Sequence, residues 1–280
     1  MKKEMIAKTF VILVGCVLML PVFCLFSGSF FGSWELAYHL SAVLDNKDGY
    51  ANWSLLPQYP SITSYKKLLL ETPEFYAMFW NSIKITGGIL LGQFIIAVPA
   101  AWGFSRMKGK LKNILFQIYI ILMLMPFQVT MLSNYLTLNK VNLIDTQWSV
   151  ILPVAFSTFP VFIIYRFFCN IPNTVIEAAE MDGAGKFLVF IAIGVPMGSS
   201  GIASALILGF FEAWNLVEQP LVFLKNQSLW PLSIYLPNIG LDMAGAAFAA
   251  SIITLIPAVL VFLRGQDYLE QGIAVTTMKG

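Results

Sequence analysis

Few residues in this chain have the types and spacing needed for covalent or metal chemistry. His39 is the single histidine, so a two-histidine metal site within the chain is excluded and a His-based triad would have to use this one residue. Cys16, Cys24 and Cys169 lie inside or at the ends of apolar runs. An odd number of cysteines without close spacing makes neither a disulfide framework nor a metal quartet, and these three read as small hydrophobes. Gly183-Ala184-Gly185-Lys186 invites comparison with a phosphate-binding loop. Such a loop needs a glycine five residues before the glycine of its Gly-Lys pair and a hydroxyl residue after the lysine. Glu180 and Phe187 occupy those positions. The chain therefore reads as no enzyme, with no catalytic residue, metal or cofactor of its own, although serine or aspartate chemistry stays open.

These residues sit in a chain of 280 residues that is 58% apolar and 11% charged, with a mean hydropathy of +0.76. A soluble domain carries about 25% charged residues. This chain lacks the polar surface to cover a globule of its size in water. A net charge of +2 from 17 basic and 15 acidic residues is too balanced for a nucleic-acid partner. Apolar runs of spanning length recur at 9–26, 83–104, 114–131, 148–168, 197–221 and 244–263. Each can cross a hydrocarbon core of about 30 Å as a helix rising about 1.5 Å per residue, and none alternates as a barrel strand would. The expected class is an all-α integral membrane protein with six transmembrane helices in contact with lipid. The run at 9–26 follows Lys2, Lys3 and Lys8 and ends near Ser27-Gly28-Ser29, so a secretory signal is a second reading. A signal core has only about 7–15 apolar residues, which favours an uncleaved first span.

Basic residues then orient the spans. With the N-terminus inside, the inner segments hold 11 of them, densest from Arg106 to Lys112, against 5 outside. The positive-inside rule places both termini in the cytoplasm. The expected organisation is a cytoplasmic N-terminus and first span over 1–26 and an extracytoplasmic loop over 27–77. A five-helix core follows over 78–280, with a tail from 264 to 280. The loop at 27–77 is broken up by Asp45, Lys47, Asp48, Gly49, Pro57, Pro60, Lys66 and Lys67.

Polar groups at membrane depth are costly and are candidates for function. Glu212 and Asn215 in the fifth run are three residues apart, on one face of a helix, with Trp214 between them and Glu218 and Gln219 further on. Gln128, Thr130 and Asn134 lie in or beside the third run. Amides, a carboxylate and nearby aromatic rings suit a sugar hydroxyl surface. The alternative for each is hydrogen bonding between helices, worth about 0.6 kcal/mol on average. Pro99, Pro126, Pro153, Pro160 and Pro257 fall within the runs and either kink the spans or break them along a path that opens and closes.

The connection from 169 to 196 is 28 residues long, far more than two membrane helices require. Pro172 suits a helix start, Val175-Ile176 and Ala178-Ala179 form a partly apolar helical face, and Asp182-Gly183 can end that helix. Lys186-Phe187 would open a second helix. A helix, a sharp turn and a helix are predicted to project from the membrane.

This pattern resembles the cytoplasmic loop of ABC importer permeases: Glu-Ala-Ala, three residues, Gly, nine residues, Ile-x-Leu-Pro. Glu177, Ala178, Ala179, Gly183, Ile193 and Pro196 match at that spacing, with Val195 in place of the leucine. Gly103-Phe104-Ser105-Arg106, Pro126-Phe127-Gln128-Val129-Thr130, Trp214-Asn215 and the tail Gln271-Gly272-Ile273 resemble the second membrane subunit of maltose-type carbohydrate importers. The resemblance implies a type I ABC importer permease fold in a prokaryotic cell membrane. It implies an ATPase-coupling loop at Glu177, Ala178, Ala179, Asp182 and Gly183. It also implies a second permease subunit, two cytoplasmic ATPase subunits that bind ATP and Mg, and an extracytoplasmic sugar-binding protein. Gln128, Glu212, Trp214 and Asn215 are then candidates for the path of an uncharged carbohydrate, probed through hydrogen bonds inside the membrane. An ordinary amphipathic loop helix with a solvated Glu177, and a secondary ion-coupled transporter of small solutes, are the competing readings.

Overall fold

The computed structural model describes residues 2–44, 50, 54–234 and 243–277. Asp45, Lys47, Asp48, Gly49, Lys279 and Gly280 lie outside the described residues. Every regular element among the described residues is helical. In chain order they are α1 (Lys2–Gly28), α2 (Ser33–Leu44), α3 (Thr63–Glu71), α4 (Pro73–Arg106), α5 (Lys110–Met123) and α6 (Phe127–Lys140). Then come α7 (Trp148–Ala155), α8 (Thr158–Cys169), α9 (Asn173–Met181) and α10 (Lys186–Val189). A π-helical turn (Phe190–Gly194), α11 (Val195–Met197), α12 (Ser199–Trp214), α13 (Glu218–Phe223), two 3-10 turns (Gln227–Leu229 and Leu232–Ile234) and α14 (Ala244–Thr277) follow.

Four helical segments are long and apolar enough to cross a membrane, Ala7–Gly28, Pro73–Arg106, Trp148–Cys169 and Ala244–Glu270. Two bent pairs, α5 with α6 and α10–α11 with α12, make six spans if each is counted as one. The second span begins earlier than its apolar run, because the helix extends back to Pro73.

The third and fifth spans are not the continuous helices that hydropathy suggests, and proline contributes to both. α5 and α6 are bent by 100°. Pro126 has no N–H to give to the carbonyl one turn back, and Met125 before it is pushed out of the helical region. The Met125 N–H bonds the Leu122 carbonyl instead, at 3.2 Å. In the fifth span the helix stops at Trp214 and resumes only at Glu218. The ring of Pro220 would strike the carbonyl of Leu216 in a continued helix. That carbonyl accepts from Ser233 Oγ at 2.5 Å instead. Pro99 and Pro257 sit inside unbroken 34-residue helices. Pro160 falls in the first turn of α8, where its missing N–H has no partner to lose.

The chain divides into two compact units, Met1–Ala77 with Tyr235–Pro257, and Met78–Ile234 with Ala258–Gly280. In the first, Phe31, Leu36, Leu68 and Phe75 are buried together with Ala244, Ala246, Ala249 and Ala250. The Ser29 hydroxyl donates to the Phe26 carbonyl at 2.7 Å and meets the Tyr65 hydroxyl at 2.8 Å. Glu35 Oε1 accepts the Gln58 N–H at 2.9 Å and lies 3.9 Å from His39 Nε2, so the sole histidine is committed to packing this unit.

The second unit carries the site. Its larger core gathers Ala97, Val98 and Ala101 of α4, Val161, Ile164 and Phe168 of α8, and Ile202 and Ala205 of α12. Between membrane helices such packing is driven by close van der Waals contact rather than by water exclusion, so small residues matter. Gly92 is an instance: a methyl there would meet Ala155 Cβ at 2.6 Å. A polar knot closes one end of this unit. Asn81 Nδ2 donates to the carbonyls of Ser228 at 2.7 Å and Trp230 at 3.1 Å, and Asn81 Oδ1 accepts from Gln147 Nε2 at 2.8 Å.

Candidate functional site

Two regions of the second unit gather the polar residues singled out above. The first is the connection from α8 to α12. α9 covers Asn173–Met181, with Pro172 just before it in an extended conformation rather than in its first turn. The helix closes in a paired C-terminal motif. The Gly183 N–H donates to the Glu180 carbonyl and the Ala184 N–H to the Ala179 carbonyl, each at 3.0 Å. That closure requires a left-handed residue, and Gly183 has φ 87°.

Around this turn the surface is apolar where solvent would be expected. Val175, Ala178 and Met181 share one exposed face of α9, with Met181 88% exposed, and Phe187 beyond the turn is 74% exposed. Glu177 and Asp182 flank that face and are exposed, while Ala179 is half-buried. A groove of about 440 Å3 runs beside α9, lined among others by Arg106, Lys108, Glu177, Glu180 and Lys186. Arg106 fixes the start of α9. Its guanidinium donates to Asn173 Oδ1 at 3.0 Å and to the Phe168 carbonyl at 2.6 Å, and lies 4.6 Å from the centre of the Trp102 ring.

The second region is a cavity of about 470 Å3 formed where the third and fifth spans break and α7 gives way to α8. The bend between α5 and α6 contributes Met125, Phe127, Thr130 and Asn134; the break between α7 and α8 contributes Ser157 and Thr158. Glu212 of α12 and Gln219 of α13 complete its polar wall, and Glu212 is the one ionisable residue of the lining. Gln219 Oε1 is buried without a hydrogen-bond partner.

Of the residues the sequence pointed to, Glu212, Gln219, Thr130 and Asn134 meet at this cavity. Gln128 is not part of its lining. Its Nε2 donates to both carboxylate oxygens of Glu218 at 2.8 Å, tying α6 to α13. Trp214 is 5% exposed and stacks on Phe210 at 5.6 Å. Asn215 ends α12, with its Nδ2 donating back to the Phe211 carbonyl at 2.9 Å. Of Glu212 and Asn215, only Glu212 is among the residues lining this cavity.

Three participants escaped the sequence reading in these roles. Ser157-Thr158 interrupts an apolar run between two prolines and could have been found as a break. Gln93 is an amide buried in the middle of the second span, and its polarity alone was a signal. Arg106 carried a visible charge, but its attachment to α9 depends on how α4 and α8 pack.

Residues 89–275 match the family described as the inner membrane component of binding-protein-dependent transport systems. The chain belongs to that family, as the membrane-embedded permease subunit of such a transporter. It is similar to the arabinooligosaccharides transport system permease protein AraQ of Bacillus subtilis (strain 168), at 26% identity over 97% of this chain and 94% of that one. Protein LplC of the same organism is 26% identical over 95% of this chain and 91% of its own length. The sn-glycerol-3-phosphate transport system permease protein UgpE of Yersinia pestis bv. Antiqua (strain Antiqua) is 26% identical over 72% of this chain and 74% of its own. A chain in the crystal structure of a bacterial ABC transporter that imports the acidic polysaccharide alginate superposes with a TM-score of 0.81. It covers 95% of this chain and 97% of that one at 19% identity, which shows a shared fold.

Proposed function

We propose that this chain forms half of the translocation path of an ATP-driven carbohydrate importer. In this reading α9 docks on a separate cytoplasmic ATPase, which binds ATP and Mg and hydrolyses the nucleotide. The single observation that carries the proposal is the α9 turn: a helix closed by Gly183 that presents Val175, Ala178, Met181 and Phe187 to solvent. An exposed apolar face of this kind, flanked by Glu177 and Asp182, suits a protein cleft with a complementary donor. A second permease, two ATPase subunits and an extracytoplasmic sugar-binding protein complete the assembly. Both termini face the cytoplasm.

The carbohydrate class is supported by the similarity to an arabinooligosaccharide permease along nearly the whole chain and by the cavity chemistry. Glu212, Asn134, Ser157, Thr158 and Gln219 offer carboxylate, amide and hydroxyl partners to a polyol. Gln128, Trp214 and Asn215 support that wall: the first ties α13 in place, and the other two hold the end of α12 that carries Glu212. The test is purification of the tagged chain followed by reconstitution. A second permease and an ATPase should accompany it, and vesicles should take up sugar on ATP when the binding protein is present. Uptake that follows an ion gradient and ignores ATP would overturn the proposal.

A further inference from the structure

We infer that α4 and the α7–α8 span form a lever, clamped at both ends, that carries movement of the α9 turn to the cavity. Arg106 and Gln93 are its positioning residues. The inference rests on the proposed docking of α9.

One clamp is at the α9 end. Arg106, on the last turn of α4, holds the Phe168 carbonyl at the end of α8 and the Asn173 side chain at the start of α9. Below it, Trp102 packs edge-on against Phe168 at 5.2 Å and at a tilt against Phe190 at 5.8 Å. Gly194 leaves room for that indole, since a methyl there would stand 2.7 Å from it. One turn of α4 thus grips both the entry and the exit of the connection. A planar guanidinium with two directed bonds suits this; a lysine offers a single point charge.

The other clamp is at the cavity. Gln93 is fully buried, and its Nε2 donates to the Val154 carbonyl at 3.3 Å. Val154 precedes the break that separates α7 from α8, and it lines the cavity. Gln93 Oε1 has no hydrogen-bond partner and lies against Gly209 of α12, where a methyl would collide with it. Gly209 is three residues, about one turn, before Glu212. Gln93 therefore touches Val154 in the cavity wall and, on its other side, the turn of α12 that precedes Glu212.

The two clamps match in register. Gln93 and Arg106 are 13 residues apart, and Val154 and Phe168 are 14 apart. The first corresponds to about 20 Å of helix, and the second crosses the interruption at Phe156-Ser157. Ala97, Val98 and Ala101 pack with Val161 and Ile164 in the core between them. Trp148–Cys169 counts as one span despite its interruption at Phe156-Ser157, whereas the route from α9 to α12 through the chain itself passes a π-helical turn and a 70° bend that weaken it as a strut.

A rigid lever makes three measurable demands on the assembled transporter. A spin-label pair at Thr174→Cys and Phe156→Cys, in a chain with its native cysteines replaced, should keep its distance when nucleotide is added. The same pair should show a changed or broadened distance in Arg106→Gln and in Gln93→Leu. In the assembled variants, solute moved per ATP hydrolysed should fall by roughly tenfold for each, and the double variant should be no worse than the more severe single one. Asn173→Ala, which removes one arm at an exposed site, should give a smaller loss in the same direction and serves if a buried variant fails to assemble. A label distance that already changes in the unmodified assembly overturns the lever, whatever the solute is. So do independent, multiplicative losses in the double variant. Failure of ATP-driven sugar uptake in the unmodified assembly instead faults the proposed function, and the label distances still decide the lever.

Discussion

The Ala184 N–H reaches back across Gly183 to the Ala179 carbonyl at 3.0 Å, so the turn that ends α9 is closed by its own backbone. Closure depends on one left-handed residue, and open space surrounds Gly183. The constraint at this position is conformational rather than steric.

Gly183→Ala should therefore cost about 1 kcal/mol locally, and Gly183→Val more, without disturbing the membrane helices. Circular dichroism and co-purification of the partner subunits report the helices and the assembly. Uptake per ATP hydrolysed should fall, with valine the more severe. Normal coupling in Gly183→Val would remove the turn from any role in aiming α9. Glu177→Ala, which leaves the turn intact, should act in the same direction more weakly.

Topology gives a second expectation. An impermeant thiol reagent applied to intact cells should label Tyr50→Cys, a fully exposed side chain at 99%, and should miss Lys110→Cys. The native Cys16, Cys24 and Cys169 are replaced first. The reverse labelling pattern would invert the assigned orientation.

Charge at the cavity gives a third. Glu212 is its one ionisable lining residue, so on the proposed path an acidic sugar is expected to meet repulsion and a neutral sugar is not. Glu212→Gln should raise the KM for the neutral sugar by roughly tenfold while admitting a uronate that the unmodified transporter rejects. Unchanged kinetics for every sugar tried would take Glu212 off the path. Asn215→Ala should have a much smaller effect on transport, because its amide is spent on the Phe211 carbonyl.

A fourth concerns stability alone. Asn81 is 6% exposed and serves two carbonyls and one amide at the end of the second unit. Asn81→Leu strands those groups and should destabilise the protein by about 2–3 kcal/mol. Thermal unfolding in detergent would register it, and an unchanged midpoint would refute the assigned role.

The sequence by itself determined the membrane class, the spanning runs and the helix-turn-helix around Gly183. Each depends on local quantities: a run of apolar side chains long enough for the hydrocarbon core, a glycine where the backbone must turn left-handed, and a proline that cannot donate. Only the tertiary structure decided how the runs break and what meets at the breaks. Pro126 marked a possible kink, but its 100° bend depends on where α6 finds its packing partners. Glu212 and Asn215 looked like neighbours on one face because helical periodicity assumes that the helix continues. The helix ends at Trp214, and Glu212 lines the cavity with Gln219 while the Asn215 amide bonds back to its own helix. Gln93 and Arg106 each carried a visible polar group, but their partners are carbonyls of α7 and α8 more than sixty residues away in the chain. A backbone carbonyl exists at every residue and has no letter in a sequence, so only the packed helices reveal which one is left to be bound.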